Sequence, residues 1–225
     1  IDIWIVKEQL NDYLQYENAG YRVMEGVLGI NKQREFISNY YNENTPLVWC
    51  DDDCDGLFEK ILIDNKYKFK HREIVDYELF FLNSFDKLWD SGYNLMGVYP
   101  LRNIGWMKNR ITTGLKFIIG AFRMTFNKKI CEKTDFPFCE DFCRTLNYFK
   151  HDGGLLRNEG VYIKHNFWTL DGGIDKITLR TKETKRKLVN KFVERNPQYA
   201  RKVEKKNDNC DIRLKSVKAF DAKQQ

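Results

Sequence analysis

The chain has 225 residues, of which 42% are hydrophobic and 15% aromatic, and its formal net charge is +6. A chain of this length and apolar content can bury a large core, which excludes an intrinsically disordered protein and fits one large domain or one domain with an appendage. It contains no apolar run of about 18 residues and no signal-peptide pattern, which argues against a membrane span and against secretion.

The net positive charge has two interpretations. A lysine-rich tail on an ordinary globular protein explains it, and so does affinity for a polyanion such as nucleic acid. Much of the surplus lies between Lys176 and Lys206. The six cysteines form no CxxC pair, and the chain has three histidines. This pattern favours a reduced, cytoplasmic protein over a disulfide framework or a zinc site.

The N-terminal part of the chain alternates between strand and helix patterns. Strands are predicted over 1–6, 21–28 and 47–50, and helices are predicted between them over 7–16 and 31–41. This β-α-β-α-β order predicts an α/β fold with a mostly parallel sheet.

The same periodicities continue through the rest of the chain. Helices are predicted over 76–91 and 140–149, and strands over 95–99, 117–126 and 160–164. Residues 102–113 are basic and polar and fit neither pattern. From Thr181 onward the pattern is helical and charged. We therefore expect a domain over 1–175 and a basic, mainly helical extension over 176–225 that packs on it.

The stretch from Pro46 to Gly56 reads PLVWCDDDCDG, an apolar strand that ends in three consecutive aspartates. In an open α/β sheet, ligands bind outside the carboxyl ends of the strands. Carboxylates clustered there suit Mg²⁺ or Mn²⁺, which prefer oxygen ligands and bridge to substrate phosphates. Alternate residues of an extended segment face the same way, so Asp51 and Asp53 are the first metal candidates and Asp52 stays open. A solvated acidic turn is the alternative.

The strand that ends in this triple aspartate resembles the DxD motif of nucleotide-sugar glycosyltransferases of the GT-A fold. GINKQREFI at 29–37 is similar to the helix with a Gly…Arg pattern near the donor nucleotide. FIIGAFRMTFN at 117–127 is similar to the acceptor-side strand, and CEDFCRTL at 139–146 to a helix start that supplies the catalytic base. YIKHNFWTLDGGI at 162–174 resembles a segment in which a histidine is a metal ligand. The pattern looks most like the viral and phage glycosyltransferases associated with TET/JBP-type base hydroxylases.

The resemblance implies a GT-A, Rossmann-like sheet flanked by helices, and a metal-dependent transfer from a UDP-sugar to a hydroxyl. UDP-glucose is the expected donor, Mn²⁺ or Mg²⁺ the cofactor, and a hydroxymethylated pyrimidine in phage or viral DNA the expected acceptor. Such enzymes open with a strand that carries a nucleotide-binding turn ahead of the segment IDIWIV. We therefore expect part of the base-binding pocket to lie outside these 225 residues.

The resemblance also assigns roles to individual residues. The metal ligands are expected to be Asp51, Asp53 and His165. Donor contacts are expected from Arg34, Lys32, Asp51, Asp52 and Lys164. The acceptor hydroxyl must lose its proton as it attacks, and Asp141, or alternatively Glu140, is the expected base; N-terminal helix capping is the other interpretation of this pair. The residue types themselves suggest acceptor contacts from Trp106, Arg102, Arg110, Gly120 and Trp168, through stacking and contacts to phosphate. Aromatic side chains packed in the core and a solvated basic loop are the alternatives.

Three other functions remain open at this stage. The same chemistry can act on a protein or a glycan. A metal-dependent phosphohydrolase or nuclease with two metals needs further carboxylates, and Asp135, Asp152 and Asp171 are available for it. A DNA-binding module without catalysis leaves the aspartates at 51–53 unexplained.

Overall fold

The computed structural model of the chain describes residues 1–63, 68–137, 139–165, 181–206 and 209–221. The elements follow one another as β1 (Asp2–Ile5), α1 (Leu10–Tyr13), β2 (Arg22–Glu25), α2 (Ile30–Tyr40), β3 (Pro46–Cys50), β4 (Cys54–Ile63), β5 (Lys68–Glu73), α3 (Tyr77–Ser91), β6 (Leu95–Tyr99), β7 (Ile111–Thr112), β8 (Phe122–Phe126), α4 (Lys129–Glu132), α5 (Glu140–Asp152), β9 (Leu156–His165), α6 (Lys182–Arg195), β10 (Ala200–Glu204) and β11 (Cys210–Leu214). In the described part of the chain, no helix is both long enough and apolar enough to cross a membrane.

A mixed sheet of seven strands forms the centre of the molecule, in the order β3-β8-β6-β9-β4-β5, with β7 paired to β9 beside this path. The prediction of an α/β protein with helices flanking a mixed sheet is confirmed. The prediction that the sheet is mostly parallel is wrong, since β6 and β9 form the only parallel pair among its described strands. The physical reason is that β8 runs antiparallel between β3 and β6, and that β4 and β5 form a hairpin.

The hairpin of β4 and β5 is the largest element missing from the sequence prediction. Its strands carry charged residues at positions that a simple alternation would assign to the core. Lys60 is such a residue: it is 8% exposed, and its Nζ donates to the main-chain oxygen of Met107 at 2.6 Å. The strand tolerates this charge because the buried ammonium group is satisfied by the hydrogen bond. The charge interrupts the alternation of apolar and polar residues by which a strand is predicted from sequence.

The sheet has a hydrophobic cluster on each face. Leu95 and Met96 are successive residues of β6 and point into different clusters, as the alternation of a strand requires. On one face, Met96 packs with Leu88 of α3. On the other face, Leu95 shares its cluster with residues of α5, α6 and the C-terminal strands, among them Phe149 and Phe192. The described residues after 181 therefore belong to the main core.

The helix predicted from Thr181 onward ends earlier than the sequence pattern suggests. α6 stops at Arg195, and β10 and β11 then pair as an antiparallel hairpin. The residue before a proline is biased away from the helical region, and Asn196 precedes Pro197. The charged residues that follow therefore lie in the strand β10 and do not extend the helix.

A second, separate sheet consists of β1 and β2, which pair in parallel. α2 fixes its position through Trp4, whose ring lies 5.7 Å from that of Phe36 and 4.9 Å from that of Tyr40. The opposite face of α2 is tied to the residue that follows β8, because the Ser38 hydroxyl donates to the Asn127 side chain at 2.6 Å. One helix thus holds the small sheet beside the large one.

Candidate active site

The triple aspartate lies at one end of the sheet, where several strands begin or end; this end of the sheet is called the edge below. Cys50, the last residue of β3, pairs with Phe122, and the next amide, that of Asp51, donates to the carbonyl of Ala121 at 2.9 Å. β4 begins at the same edge, where the Cys54 thiol donates to the Ala121 carbonyl at 3.3 Å. Residues 51–53 therefore form a short loop above the start of β8, as expected for a ligand site at strand ends.

Asp53 is the least satisfied of the three aspartates. Its Oδ1 atom is buried and has no hydrogen-bond partner among the described residues. Burial, together with the negative charges of Asp51 and Asp52, raises the pKa of its carboxyl group. Leaving a buried acceptor unpaired costs about 1–3 kcal/mol, and more for a charged group. A positive partner at this oxygen would therefore offset that cost.

Asp51 already has one cationic partner. The Arg34 guanidinium, contributed by α2 and 5% exposed, forms an ion pair with its Oδ1. The guanidinium also lies 5.9 Å from the ring centre of Trp49. Sequence analysis assigned Arg34 to the donor and Asp51 to both donor and metal, and the structure brings them together. Lys32 of the same helix is exposed.

Asp52 is held differently, by a residue that the sequence did not indicate. The Tyr13 hydroxyl donates to its Oδ2 at 3.3 Å. Partial burial and the nearby charge of Asp52 raise the pKa of this tyrosine. No local pattern around α1 points to this contact, because it joins segments far apart in the sequence. The three adjacent carboxylates thus have three different surroundings.

Glu140 and Asp141 begin α5 beside the same edge. A Cβ atom placed on Gly120 would lie 3.4 Å from the Asp141 Cβ and 3.6 Å from a Glu140 carboxylate oxygen, so the three predicted site residues are close. Asp141 is half-buried as a residue, but its carboxyl group is deep enough that desolvation raises its pKa to about 8. The charge of Glu140 adds to this shift. The Phe142 amide donates to Asp141 at 2.8 Å, so this carboxyl also caps the first turn.

A buried ionic cluster, formed by Glu132, Arg123 and Arg144, supports this part of the site. Glu132 is completely buried and accepts hydrogen bonds from the two terminal guanidinium nitrogens of Arg123. Its Oε2 atom lies 2.8 Å from Arg144 Nε. The Tyr148 hydroxyl donates to the same carboxylate at 3.1 Å. Arg123, Arg144 and Asp141 line one small cleft. In the sequence, this cluster is indicated by Arg123, a charged residue within the apolar run of β8. Hydrophobic periodicity alone does not explain an arginine at that position.

Two predicted residues lie at the end of β9. Lys164 forms an ion pair with Asp55 at 2.7 Å, and both side chains are about two-fifths exposed, at 39% and 43%. The backbone of His165 lies opposite Cys54, at the start of β4. The side chain of His165 and the whole of Trp168 are outside the described residues. The main chain thus brings residue 165 to the same edge as the aspartates.

The remaining acceptor candidates are in the segment between β6 and β7. Arg102 and Arg110 are exposed, and Trp106 is 73% exposed. The segment is anchored to β9, because the Lys108 amide donates to the Glu159 carbonyl at 3.1 Å and the Glu159 amide to the Arg110 carbonyl at 2.9 Å. A large exposed aromatic side chain, with an arginine four residues before it and another four residues after it in the sequence, suits a stacked, negatively charged ligand.

The described residues contain no group of three histidine, cysteine, aspartate or glutamate side chains arranged to hold a metal ion. Mg²⁺ is commonly bound by one or two carboxylates and completes its shell with water and substrate phosphate. The unpaired oxygen of Asp53 and the partly exposed carboxylate of Asp51 fit that mode of binding. The residues present therefore suit a dication that arrives with a phosphorylated ligand.

Two of the three carboxylates that the sequence offers for a second metal are engaged elsewhere. Asp135 pairs with Lys191 and Arg195, at 3.2 and 2.9 Å. Asp152 accepts from the main-chain and side-chain nitrogens of Asn94, both at 2.8 Å. Asp171 lies outside the described residues. Two of the three candidates for a two-metal phosphohydrolase thus have structural roles.

Comparison with known proteins gives no relative for this chain. It matches no family model, no curated protein and no solved structure. The case for any function therefore depends on the sequence motifs and on the geometry of the strand edge.

Proposed function

We propose that the protein is a metal-dependent glycosyltransferase of the GT-A type that moves a sugar from a UDP-sugar to a hydroxyl group. The observation that carries the proposal is the unpaired, buried oxygen of Asp53 within a loop of three carboxylates at the end of β3. Such an arrangement costs stability unless a cation is bound for part of the working cycle. A nucleoside diphosphate with a bound divalent cation would supply that positive partner.

The carboxylates have distinct tasks in this proposal. Asp53, with the free face of Asp51, would hold Mn²⁺ or Mg²⁺, and the ion when bound would act as a Lewis acid on the leaving diphosphate. Arg34 fixes the orientation of Asp51 from the buried side, and Tyr13 does the same for Asp52. Asp52 is left to accept hydrogen bonds from the donor ribose.

Asp141 is the proposed general base. The proton of the acceptor hydroxyl passes to its carboxylate while the oxygen forms the new bond to the anomeric carbon, and the bond to the diphosphate breaks. A pKa near 8 makes the deprotonated carboxylate a stronger base than an ordinary aspartate. Glu140, next to it and close to Gly120, is the alternative base.

The proposed acceptor is a hydroxymethylated pyrimidine in phage or viral DNA. The formal charge of +6 and the exposed Trp106 between Arg102 and Arg110 support a polyanionic acceptor with bases available for stacking. DNA binding through phosphate contacts weakens as salt concentration rises. If the enzyme transfers sugar to a protein or glycan, and this transfer does not depend on salt concentration, the DNA assignment is contradicted. The proposed donor chemistry is not contradicted by that result.

The test is a thermal-shift and hydrolysis experiment with UDP-glucose, with and without Mn²⁺. We expect the melting temperature to rise only when both are present, since a ligand stabilises the state that binds it. Asp53→Asn should abolish the shift and the release of UDP. Asp90→Asn, an exposed residue of α3, should leave both unchanged. Full retention of metal-dependent UDP release by Asp53→Asn contradicts the proposed donor site.

A further inference from the structure

Two cysteines, Cys50 and Cys54, lie at the two ends of the loop that carries the triple aspartate. Cys50 is the last residue of β3, and Cys54 is the first residue of β4. The residues between them form a tight turn, which is closed by a hydrogen bond from the Cys54 amide to the Asp51 carbonyl at 3.3 Å. The segment CDDDC is therefore folded back on itself, and its first and last residues come together.

The two thiol groups meet beside this turn. The Asp51 carbonyl oxygen that accepts from the Cys54 amide also lies 3.5 Å from the Cys50 Sγ atom, so one oxygen contacts both cysteines. The Ala121 carbonyl holds the same turn, because it accepts from the Asp51 amide at 2.9 Å and from the Cys54 thiol at 3.3 Å. The Cys50 and Cys54 side chains are in hydrogen-bond contact with each other. A covalent bond between them thus needs only a local adjustment of the turn.

These two thiols also differ from the other cysteines in access to solvent. Among the six cysteines of the chain, Cys50 is the only exposed one, and Cys54 is partly exposed. The buried ones are Cys131, Cys143 and Cys210. Oxidation and thiol–disulfide exchange depend on access, and buried thiols are usually inert. A small oxidant dissolved in water therefore reaches the pair at the aspartate loop before it reaches the core.

We propose that Cys50 and Cys54 form a reversible disulfide across the aspartate loop, by exchange with a low-molecular-weight disulfide such as glutathione disulfide. The Cys50 sulfur first loses its proton and attacks one sulfur of glutathione disulfide, which forms a mixed disulfide and releases one glutathione. The Cys54 sulfur then loses its proton and attacks the Cys50 sulfur, which releases the second glutathione. Two electrons and two protons pass from the cysteines to glutathione disulfide, which is reduced to two glutathione molecules.

The disulfide would restrain the loop that is the proposed cation site, and this consequence rests on the proposed function. Within the described ranges, no three candidate ligands are arranged to hold a metal ion. The Asp53 Oδ1 atom is buried, and Asp51 is turned towards Arg34. The carboxylates must therefore reorient to surround a dication, since Mg²⁺ in particular demands a strict geometry. A covalent bond between residues 50 and 54 opposes that reorientation, so the oxidised protein should bind the cation and nucleotide more weakly.

The first experiment needs neither metal nor sugar. The protein is incubated with glutathione disulfide, free thiols are blocked with N-ethylmaleimide, and the tryptic peptide 35–60 is weighed, because it contains Cys50 and Cys54 and no other cysteine. We expect this peptide to lose two hydrogen atoms and to take up no maleimide. After reduction with dithiothreitol it should take up two maleimide groups. Two free thiols after the incubation, glutathione retained on the peptide, or a disulfide between two chains would each overturn the proposal.

A pair of serine variants tests the exchange itself. Cys54→Ser removes the thiol that resolves the mixed disulfide, so glutathione should remain on Cys50 in an amount about tenfold or more above that in the unsubstituted protein. Cys139→Ser removes the other partly exposed thiol, which directly precedes α5, and should leave the disulfide in peptide 35–60 unchanged. Equal retention of glutathione by Cys54→Ser and the unsubstituted protein contradicts the second exchange step.

The melting temperature with Mn²⁺ and UDP-glucose tests the consequence for the loop. The ligands should raise it in the reduced protein, raise it less in the oxidised protein, and raise it fully again after dithiothreitol. Cys50→Ser cannot form the disulfide, so its response should be the same with and without the oxidant. An oxidised protein that responds like the reduced one contradicts the restraint of the loop. A reduced protein that does not respond contradicts the proposed function and this consequence of it, whereas the disulfide is decided by the peptide masses.

Discussion

The carboxylate of Asp51 is paired with the guanidinium of Arg34, which reaches it from the buried side of α2 and is itself 5% exposed. This pair ties the helix that carries the small sheet to the loop that carries the triple aspartate. It also neutralises one of three adjacent negative charges before any ligand arrives. The ion pair thereby holds the loop in place, while the Oδ1 atom of Asp53 has no hydrogen-bond partner among the described residues and remains available to a ligand.

Arg34→Met should destabilise the protein by about 1–3 kcal/mol, because it leaves Asp51 without its partner, although that carboxylate is 31% exposed and partly solvated. The measurement is urea unfolding without divalent cations. Adding Asp51→Asn to Arg34→Met should recover part of the loss, since the two residues act as a pair. A loss below about 0.5 kcal/mol would show that the pair contributes nothing measurable, as many exposed ion pairs do.

Much of the main fold follows from the sequence, and its exceptions have physical causes. The bounds of β6 are as predicted, and those of β3 and α3 differ by a single residue. The hairpin of β4 and β5 was not predicted, because the buried, hydrogen-bonded Lys60 interrupts the strand pattern. The end of α6 was not predicted, because the Asn-Pro step that ends the helix lies within a pattern that otherwise continues as helical.

The candidate site was predictable only in part. The positions of Asp51, Asp53 and Asp141 near one edge follow from strand ends and helix starts. The partners of those residues do not, because the contacts of Arg34 and Tyr13 join segments that are brought together only by the folded chain. The cluster around Glu132 is likewise a tertiary feature.

Asp53→Asn should stabilise the protein in the absence of divalent cations, by about 1 kcal/mol, because a neutral amide is less costly than an unpaired buried carboxylate. The same variant should lose the stabilisation that Mn²⁺ and a nucleoside diphosphate give to the unsubstituted protein. Calorimetry with and without these ligands measures both effects. A destabilised variant that still responds to Mn²⁺ would refute this account of Asp53.

Asp141 should make the protein less stable as pH rises. Its pKa is about 8 in the folded state and near 3.8 when unperturbed, so between these values the folded state holds a proton that the unfolded state has released. Stability therefore falls with pH across this window, by at most about 1.4 kcal/mol per pH unit from this group. Asp141→Asn should flatten the slope measured by urea unfolding from pH 5 to 8. Asp90→Asn, on the exposed side of α3, is the control and should keep it.

Glu132→Gln should be among the most damaging single changes in the protein. It removes the negative charge on which Arg123 and Arg144 both depend, and these arginines are 2% and 3% exposed. Breaking a buried ion pair by removing one partner costs about 3–5 kcal/mol. Denaturant unfolding measures the loss, and Glu43→Gln, which removes a carboxylate that accepts from the Lys129 amide, is the milder comparison. Equal losses in the two variants would contradict the central role of Glu132.

DNA binding, if it uses the segment between β6 and β7, should respond to Arg110→Ala in a defined way. Each phosphate contact contributes about 0.9 to the slope of log K against log salt concentration, so loss of one contact should reduce the slope by about that amount. Trp106→Ala should weaken binding to single-stranded or flipped bases and leave the salt slope unchanged, because stacking releases few ions. Lys87→Ala, a cation on the outer side of α3, serves as the control and should alter neither. Fluorescence anisotropy with an oligonucleotide containing hydroxymethylcytosine measures all three. An identical slope for Arg110→Ala and the unsubstituted protein would place the acceptor on another surface.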